Sequence, residues 1–155
     1  MFMKAGDAIS GQEGTAFVTI NGEVHEAFYV KSLEATVEKN KVEFKALGKR
    51  GVQNKATGWS GTGSMTIYYA TSIFRKLMLE YIKTGKDTYF DIQITNDDPS
   101  SSIGKQTVTL INVNLDSVIM AKLDTESDIL DEDADFTFDD VEMAEDAQFR
   151  TPELG

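Results

Sequence analysis

Between residues 59 and 85 the chain changes period, and that change dictates what the remainder must supply. Trp59, Gly61, Gly63, Met65, Ile67 and Tyr69 alternate with Ser60, Thr62, Ser64, Thr66 and Tyr68, the pattern of a half-buried strand. Directly after it, Ile73, Phe74, Leu77, Met78, Tyr81 and Ile82 recur at helical spacing, which winds them into one apolar stripe on a helix of about residues 72–84. Thr71 or Ser72 stands at the N-cap, and Gly85 where a left-handed C-cap belongs. So short a helix is marginal alone in water. Burying its stripe, at about 1.5–3 kcal/mol for each side chain, fixes it on a sheet.

The flanking sequence supplies that sheet. Residues 15–20 and 23–31 are β-rich and flank Asn21-Gly22, the preferred dipeptide of a tight hairpin. Leu33, Ala35 and Val37 alternate with polar residues, and after Lys39-Asn40-Lys41 the alternation resumes at Val42, Phe44 and Ala46, giving either a strand pair or one bent strand. Residues 48–58 read as an exposed loop of a long hairpin, with Lys49, Arg50 and Lys55 on it. Beyond the helix, Phe90, Ile92 and Ile94 form one strand face, and Asn96-Asp97-Asp98-Pro99 with three serines forms a surface loop. The inward parity then switches between Leu110 and Ile111, as a β-bulge would make it do, and switches again between Phe138 and Val141. The class is therefore mainly β (α+β): an antiparallel barrel or sandwich of about seven or eight strands with one flanking helix. Residues 1–14 are expected as a flexible arm that orders only against something else, residues 15–147 as a single domain, and residues 148–155 as a polar tail.

Charge is distributed unevenly. The net charge of −11 resides in residues 124–155, which hold thirteen acids and Arg150 as their one base, while residues 1–123 are close to neutral. A surface of that sign repels nucleic acid and anionic membranes. The absence of cysteine excludes disulfides, thiolate metal sites and thiol nucleophiles, and suits a reducing compartment. No window approaches the length of a bilayer span, and residues 1–6 lack a signal-peptide core, so a soluble protein is expected.

Chemical motifs are sparse. Asp131, Asp133, Asp135, Asp139 and Glu142 fall on calcium-loop positions, but Phe136 occupies the position that needs glycine, and the segment alternates as a strand. They read better as a solvated acidic face, and no metal or cofactor is expected. His25 is the sole histidine, so neither a catalytic triad nor a multi-histidine metal site can be built within one chain. The glycines at 58, 61 and 63 lack the spacing of a phosphate loop, and Gly61 and Gly63 are expected instead to allow close approach within a strand. Trp59 suits either the core or a stacking platform. No nucleophile with a neighbouring base is present, so an enzyme is not expected.

The runs Glu34-Ala-Thr-Val-Glu-Lys, Phe44-Lys-Ala-Leu-Gly-Lys-Arg and Thr57-Gly-Trp-Ser-Gly-Thr-Gly-Ser-Met-Thr, with the helix that follows, resemble the tail tube proteins of PBSX-like prophage elements. The resemblance extends over nearly the whole chain, from the Gly14-Thr-Ala-Phe-Val hairpin to the acidic end. It implies six copies to a ring, and rings stacked into a hollow tail tube through which DNA or another cargo passes without specific binding. It further implies sheath, baseplate and tail terminator partners, and a place in a virion or phage-like particle after synthesis in the bacterial cytoplasm. Inter-ring contacts are then expected from residues 1–14, 48–58 and about 144–155, with Lys49, Arg50 and Lys55 meeting acids on the next ring. Asp124, Glu126, Asp128, Asp131, Glu132 and Asp133 are the lumen-lining candidates. The alternative is a monomeric β-barrel that binds a small ligand or carbohydrate beside Trp59.

Overall fold

The alternation that begins at Trp59 belongs to a strand of 16 residues. The computed structural model describes residues 2–152 and Leu154. Its strands are β1 (Gly14–Ile20), β2 (Glu23–Glu26), β3 (Val30–Phe44), β4 (Gln53–Tyr68), β5 (Phe90–Asp97), β6 (Lys105–Leu115), β7 (Asp131–Phe138) and β8 (Asp140–Met143), with one α-helix, α1 (Ile73–Thr84), after β4. All pairings are antiparallel. The order is β2-β1-β5-β6-β7-β4-β3, with β8 on β6, and the sheet is not closed.

The sheet folds over on itself because β6 serves two halves. Val108–Ile111 of β6 pair with β8, whereas Asn114 and Leu115 pair with β7. The kink falls where the parity switch placed it. Phe90 opposes Val113 and Ile92 opposes Leu110, so Ile111 and Asn112 face one residue, Asp91, and Asn112 takes a positive φ of 56°. This lets both Leu110 and Val113 point inward and be buried. The second parity switch is a corner: after Asp139 the chain leaves β7 and runs along β6 as β8. At the first hairpin, Asn21 and Gly22 both have positive φ, as a type I′ turn requires.

Side chains from both halves meet in one core, with Val18, Ile92 and Leu110 on one side and Met65, Ile67, Phe136 and Phe138 on the other. Helix α1 closes one end through Phe74, which lies 5.9 Å from the Phe90 ring. The helix begins with the Thr71 hydroxyl accepting the Ile73 amide and ends on Gly85 at φ 75°. Its stripe is only partly used. Phe74 is buried and Ile73, Leu77 and Met78 are half-buried, but Tyr81 and Ile82 are 51% and 59% exposed. The stripe outlasts the sheet beneath it, so the expectation that all six residues dock is corrected to the first turns.

Candidate functional site

The residues of β3, β4 and β7 that point away from the core form one chemically uniform surface. Register aligns Glu34 with Ser64 and Asp135, Thr36 with Thr62 and Thr137, Ser32 with Thr66 and Asp133, and Glu38 with Ser60. Because strand side chains alternate, these rows exclude the aliphatic residues, which form the opposite rows Leu33-Met65-Ala134 and Ala35-Gly63-Phe136. Where β7 covers β4 the surface therefore carries serine, threonine and carboxylates, with the exposed Tyr68 opposite Asp131 at its end. Among the described residues Glu34, Glu38, Asp133 and Asp135 take part in no ion pair. Asp133 accepts the Thr66 hydroxyl at 2.6 Å, and Asp131 lies between Lys31 at 3.3 Å and Lys122 at 3.9 Å.

Beyond that surface β3 and β4 continue without a third strand. β7 covers β4 only from Gly61 to Tyr68, so residues 38–60 form a two-stranded ribbon. Pairing extends to Phe44 and Gln53, which shortens the expected loop to residues 45–52 and places Lys55 within β4 rather than on the tip. Thr57 is an extra residue in β4 between the pairs Asn40–Gly58 and Lys41–Ala56, and its hydroxyl donates to the Asn40 carbonyl at 3.2 Å. β3 runs through Lys39-Asn40-Lys41 without interruption, the bent-strand alternative. Val42 and Phe44 consequently face the opposite way from Leu33, Ala35 and Val37. Val42, Phe44, Leu47 and Val52 are exposed, Leu47 completely, among Lys39, Lys41, Lys45, Lys49, Arg50 and Lys55.

The lumen-lining candidates separate. Asp131 and Asp133 lie on the polar surface, while Asp124, Glu126 and Asp128 are exposed on the segment between β6 and β7. Glu132 is corrected: it is 3% exposed and paired with Arg75. As an even-numbered residue of β7 it points inward, and Arg75 also reaches the Thr71 and Ile119 carbonyls and stacks 4.5 Å over Tyr69. That network ties α1 to the sheet. At Gly61 and Gly63 the groups that lie close are intramolecular. A Cβ at Gly61 would lie 2.4 Å from the Phe138 ring, and one at Gly63 would lie 2.3 Å from the Phe136 ring and 2.8 Å from the Glu34 carbonyl oxygen.

Along the calcium-like register, Asp131, Asp133 and Asp135 are strung out on β7, Asp139 accepts both its contacts from Asn112 Nδ2, and Glu142 is on β8. Extended spacing of about 6.6–6.8 Å between alternate residues does not converge on one ion. His25 sits half-buried on β2, 3.6 Å from Glu23. Trp59 is at the ribbon base, 6.3 Å from Phe138, beside an apolar depression lined by Val37, Ala56, Gly58 and Val141. Sequence reasoning put Asp135 on a solvated acidic face but missed Glu34 and Glu38 as members of the same surface. Their signal was present in the alternation, since each falls on the polar parity of its strand. Asp7 and Asp98, both buried, carried no such signal.

A family model for phage tail tube protein matches residues 1–145. The phage-like element PBSX protein XkdM of Bacillus subtilis (strain 168) is 46% identical over 145 residues, which covers 94% of this chain and 96% of the relative. Among solved structures, a chain of the sheath-tube complex of the PVC extracellular contractile injection system in its extended state shares the fold with a TM-score of 0.65 at 15% identity, covering 88% of this chain and 91% of that one. A chain of the anti-feeding prophage baseplate does so with a TM-score of 0.64 at 14% identity, covering 88% and 95%.

Proposed function

The chain belongs to the phage tail tube protein family, and from that premise we propose that it assembles into hexameric rings stacked as the inner tube of a contractile phage or phage-like tail, with the β3-β4-β7 surface turned toward the bore. The family is structural rather than enzymatic. The observation that carries the bore assignment is the composition of that surface where β7 covers β4: serine, threonine and carboxylates with Tyr68 opposite Asp131, while the rows Leu33-Met65-Ala134 and Ala35-Gly63-Phe136 lie on the other side. A conduit for DNA must not hold its cargo. One charge pair at 10 Å in water amounts to only about 0.4 kcal/mol before screening, so repulsion needs many copies acting together.

Two further features suit assembly. Among the described residues no strand pairs the outer edge of β3 along its 15 residues, and so long an edge is a template for a second chain. On the far side of that half, β7 pairs β6 at two positions only, which leaves a second edge for ring closure. The ribbon of residues 38–60, marginal as an isolated two-stranded hairpin, reaches the next ring, where Lys49, Arg50 and Lys55 meet acidic groups and Leu47 loses its exposure. Sheath, baseplate and terminator proteins are the implied outer and end partners, and the virion or phage-like particle is the site of action.

Electron microscopy of the purified protein tests this. Rods with an open, electronegative bore are expected. An electropositive bore overturns the assignment of the surface, and a compact monomer that saturably binds a sugar or small ligand under all nucleating conditions overturns the tube.

A further inference from the structure

Asp7 and Asp98 are 6% and 5% exposed, and among the described residues neither takes part in an ion pair. A buried carboxylate without a cation needs hydrogen-bond donors, and the donors here cross between two segments. Asp7 Oδ1 accepts from the Ser102 amide at 2.9 Å and the Ser102 hydroxyl at 2.6 Å. Asp98 works in the opposite direction. Its Oδ2 accepts from the Ser10 amide at 2.9 Å, and its Oδ1 from the Ser100 amide and hydroxyl at 2.9 and 2.7 Å. An acid of the N-terminal segment thus holds the β5–β6 loop, and an acid of the loop holds the N-terminal segment.

Apolar packing adds little to this attachment. Asp7 is the one buried residue among residues 2–10, and Ile9 is half-buried. Among the described residues Asp7 Oδ2 is buried with no hydrogen-bond partner, so closure against them desolvates an oxygen without compensation. A turn follows at Gly11, where a Cβ would meet nothing within 4 Å, and the Asp97 amide donates to the Glu13 carbonyl at 3.0 Å just before β1. The loop is braced independently from its other side, where the Arg150 amide donates to the Ile103 carbonyl at 2.8 Å and its guanidinium to the Ser102 carbonyl at 2.9 Å.

We propose that residues 2–12 form a strap that opens as one unit from the folded sandwich, with Asp7 and Asp98 as a reciprocal two-part latch over the β5–β6 loop. The charged groups around the latch are Lys4 and Glu13 on the strap side, Asp97 and Lys105 flanking the loop, and Arg150. Glu13 and Asp97 are exposed, and the carboxylates that accept hydrogen bonds across the strap and the loop are those of Asp7 and Asp98. The Ser102 hydroxyl and then its amide hold the Asp7 carboxyl below its ordinary value, and the Ser10 amide followed by Ser100 does the same for Asp98. With both values lowered in the closed form, the latch is fully present above the ordinary carboxylate pKa of about 4 and is lost as pH falls through the lowered values. In the tube reading, strap release is the step that uncovers the loop for a neighbouring copy. The latch is tested on the isolated subunit, so its failure and that of the tube reading are separate results.

Amide hydrogen exchange at pH 7 provides the test, with Asp7→Asn and Asp98→Asn standing for the protonated acids. Either substitution is expected to speed exchange at Ser10, Ser100 and Ser102 together, by about tenfold, with Met65 and Ala134 unchanged. Acceleration at Ser102 alone in Asp7→Asn and at Ser10 alone in Asp98→Asn overturns the single unit. Acceleration throughout β4 and β7 overturns the strap's independence. Ser102→Ala, which removes only a hydroxyl, gives the same readout should an Asn variant fold poorly. In the parent protein, the amide shifts of Ser10 and Ser102 are expected to titrate together below about pH 4, and two separate midpoints refute the latch.

Discussion

At the level of single residues, the glycines of β4 are filled from within the subunit. Alternation put Gly61 and Gly63 on the inward parity, but it carried no information about what stands opposite, because Phe136 and Phe138 come from a strand far along the chain. With ring atoms 2.3–2.4 Å from the would-be Cβ positions, Gly63→Val is expected to destabilise the monomer itself by about 1–3 kcal/mol through overpacking. Urea unfolding checks it, with Gly11→Val as the control because nothing lies within 4 Å there. Equal midpoints for the two variants refute the packing. Glu132 follows the same logic with charge. Its position on β7 is inward, so its carboxylate exists for Arg75, and Glu132→Ala is expected to cost about 3–5 kcal/mol by leaving a guanidinium uncompensated. Adding Arg75→Met should recover much of that loss in a double-mutant cycle. The sequence pointed at Glu132 as one acid in a run of acids, and composition does not reveal which member of a run turns inward.

Among the elements, the helix and the ribbon divide the legible from the illegible. Helix α1 was readable from end to end, including Gly85, because its caps and period are local. How much of the stripe docks depends on where β5 and β6 end, which is not local. Phe74→Ala is therefore expected to cost about 3–5 kcal/mol and Ile82→Ser to stay within about 0.5 kcal/mol, both read by thermal or urea unfolding. An equal effect at the two positions refutes partial docking. In the ribbon, Lys39-Asn40-Lys41 has the composition of a turn, yet β3 continues through it. The irregularity sits in the partner strand, at Thr57 beside Gly58, and a one-residue insertion there looks like any polar loop. Replacing Lys49, Arg50 and Lys55 by serine leaves the core untouched, since all three are exposed. Unfolding midpoints should hold while rods in electron micrographs become shorter and less sensitive to salt. Unchanged rods remove these cations from the inter-ring contact.

Across the whole molecule, the acidic composition of the last fifth of the chain turns out to be the wrong unit of description. Residues adjacent in sequence, such as Glu132 and Asp133, part to opposite sides of β7, whereas Glu34, Asp133 and Asp135 come from distant segments and share one surface. Carboxylates distinguish that surface, since the outward rows of the other half are also free of aliphatic side chains but read Thr15-Thr95-Thr107 and Phe17-Gln93-Thr109-Glu142. If it lines a bore, reversing its sign has a specific consequence. Glu34→Lys with Asp135→Lys replaces two exposed acids that have no ion-pair partner among the described residues, so the fold is expected to persist. Tubes of the parent protein should leave double-stranded DNA in the supernatant on sedimentation. Tubes of the double variant should retain short single-stranded DNA small enough to enter the bore, and release it as salt rises, because each added cation exchanges counterions with phosphate. Ring-shaped assemblies that bind no DNA, despite carrying those lysines, place the surface elsewhere than the bore. Binding by unassembled subunits equal to that by tubes would mean that the lysines act as an ordinary basic patch, and the bore assignment would fail on that result as well.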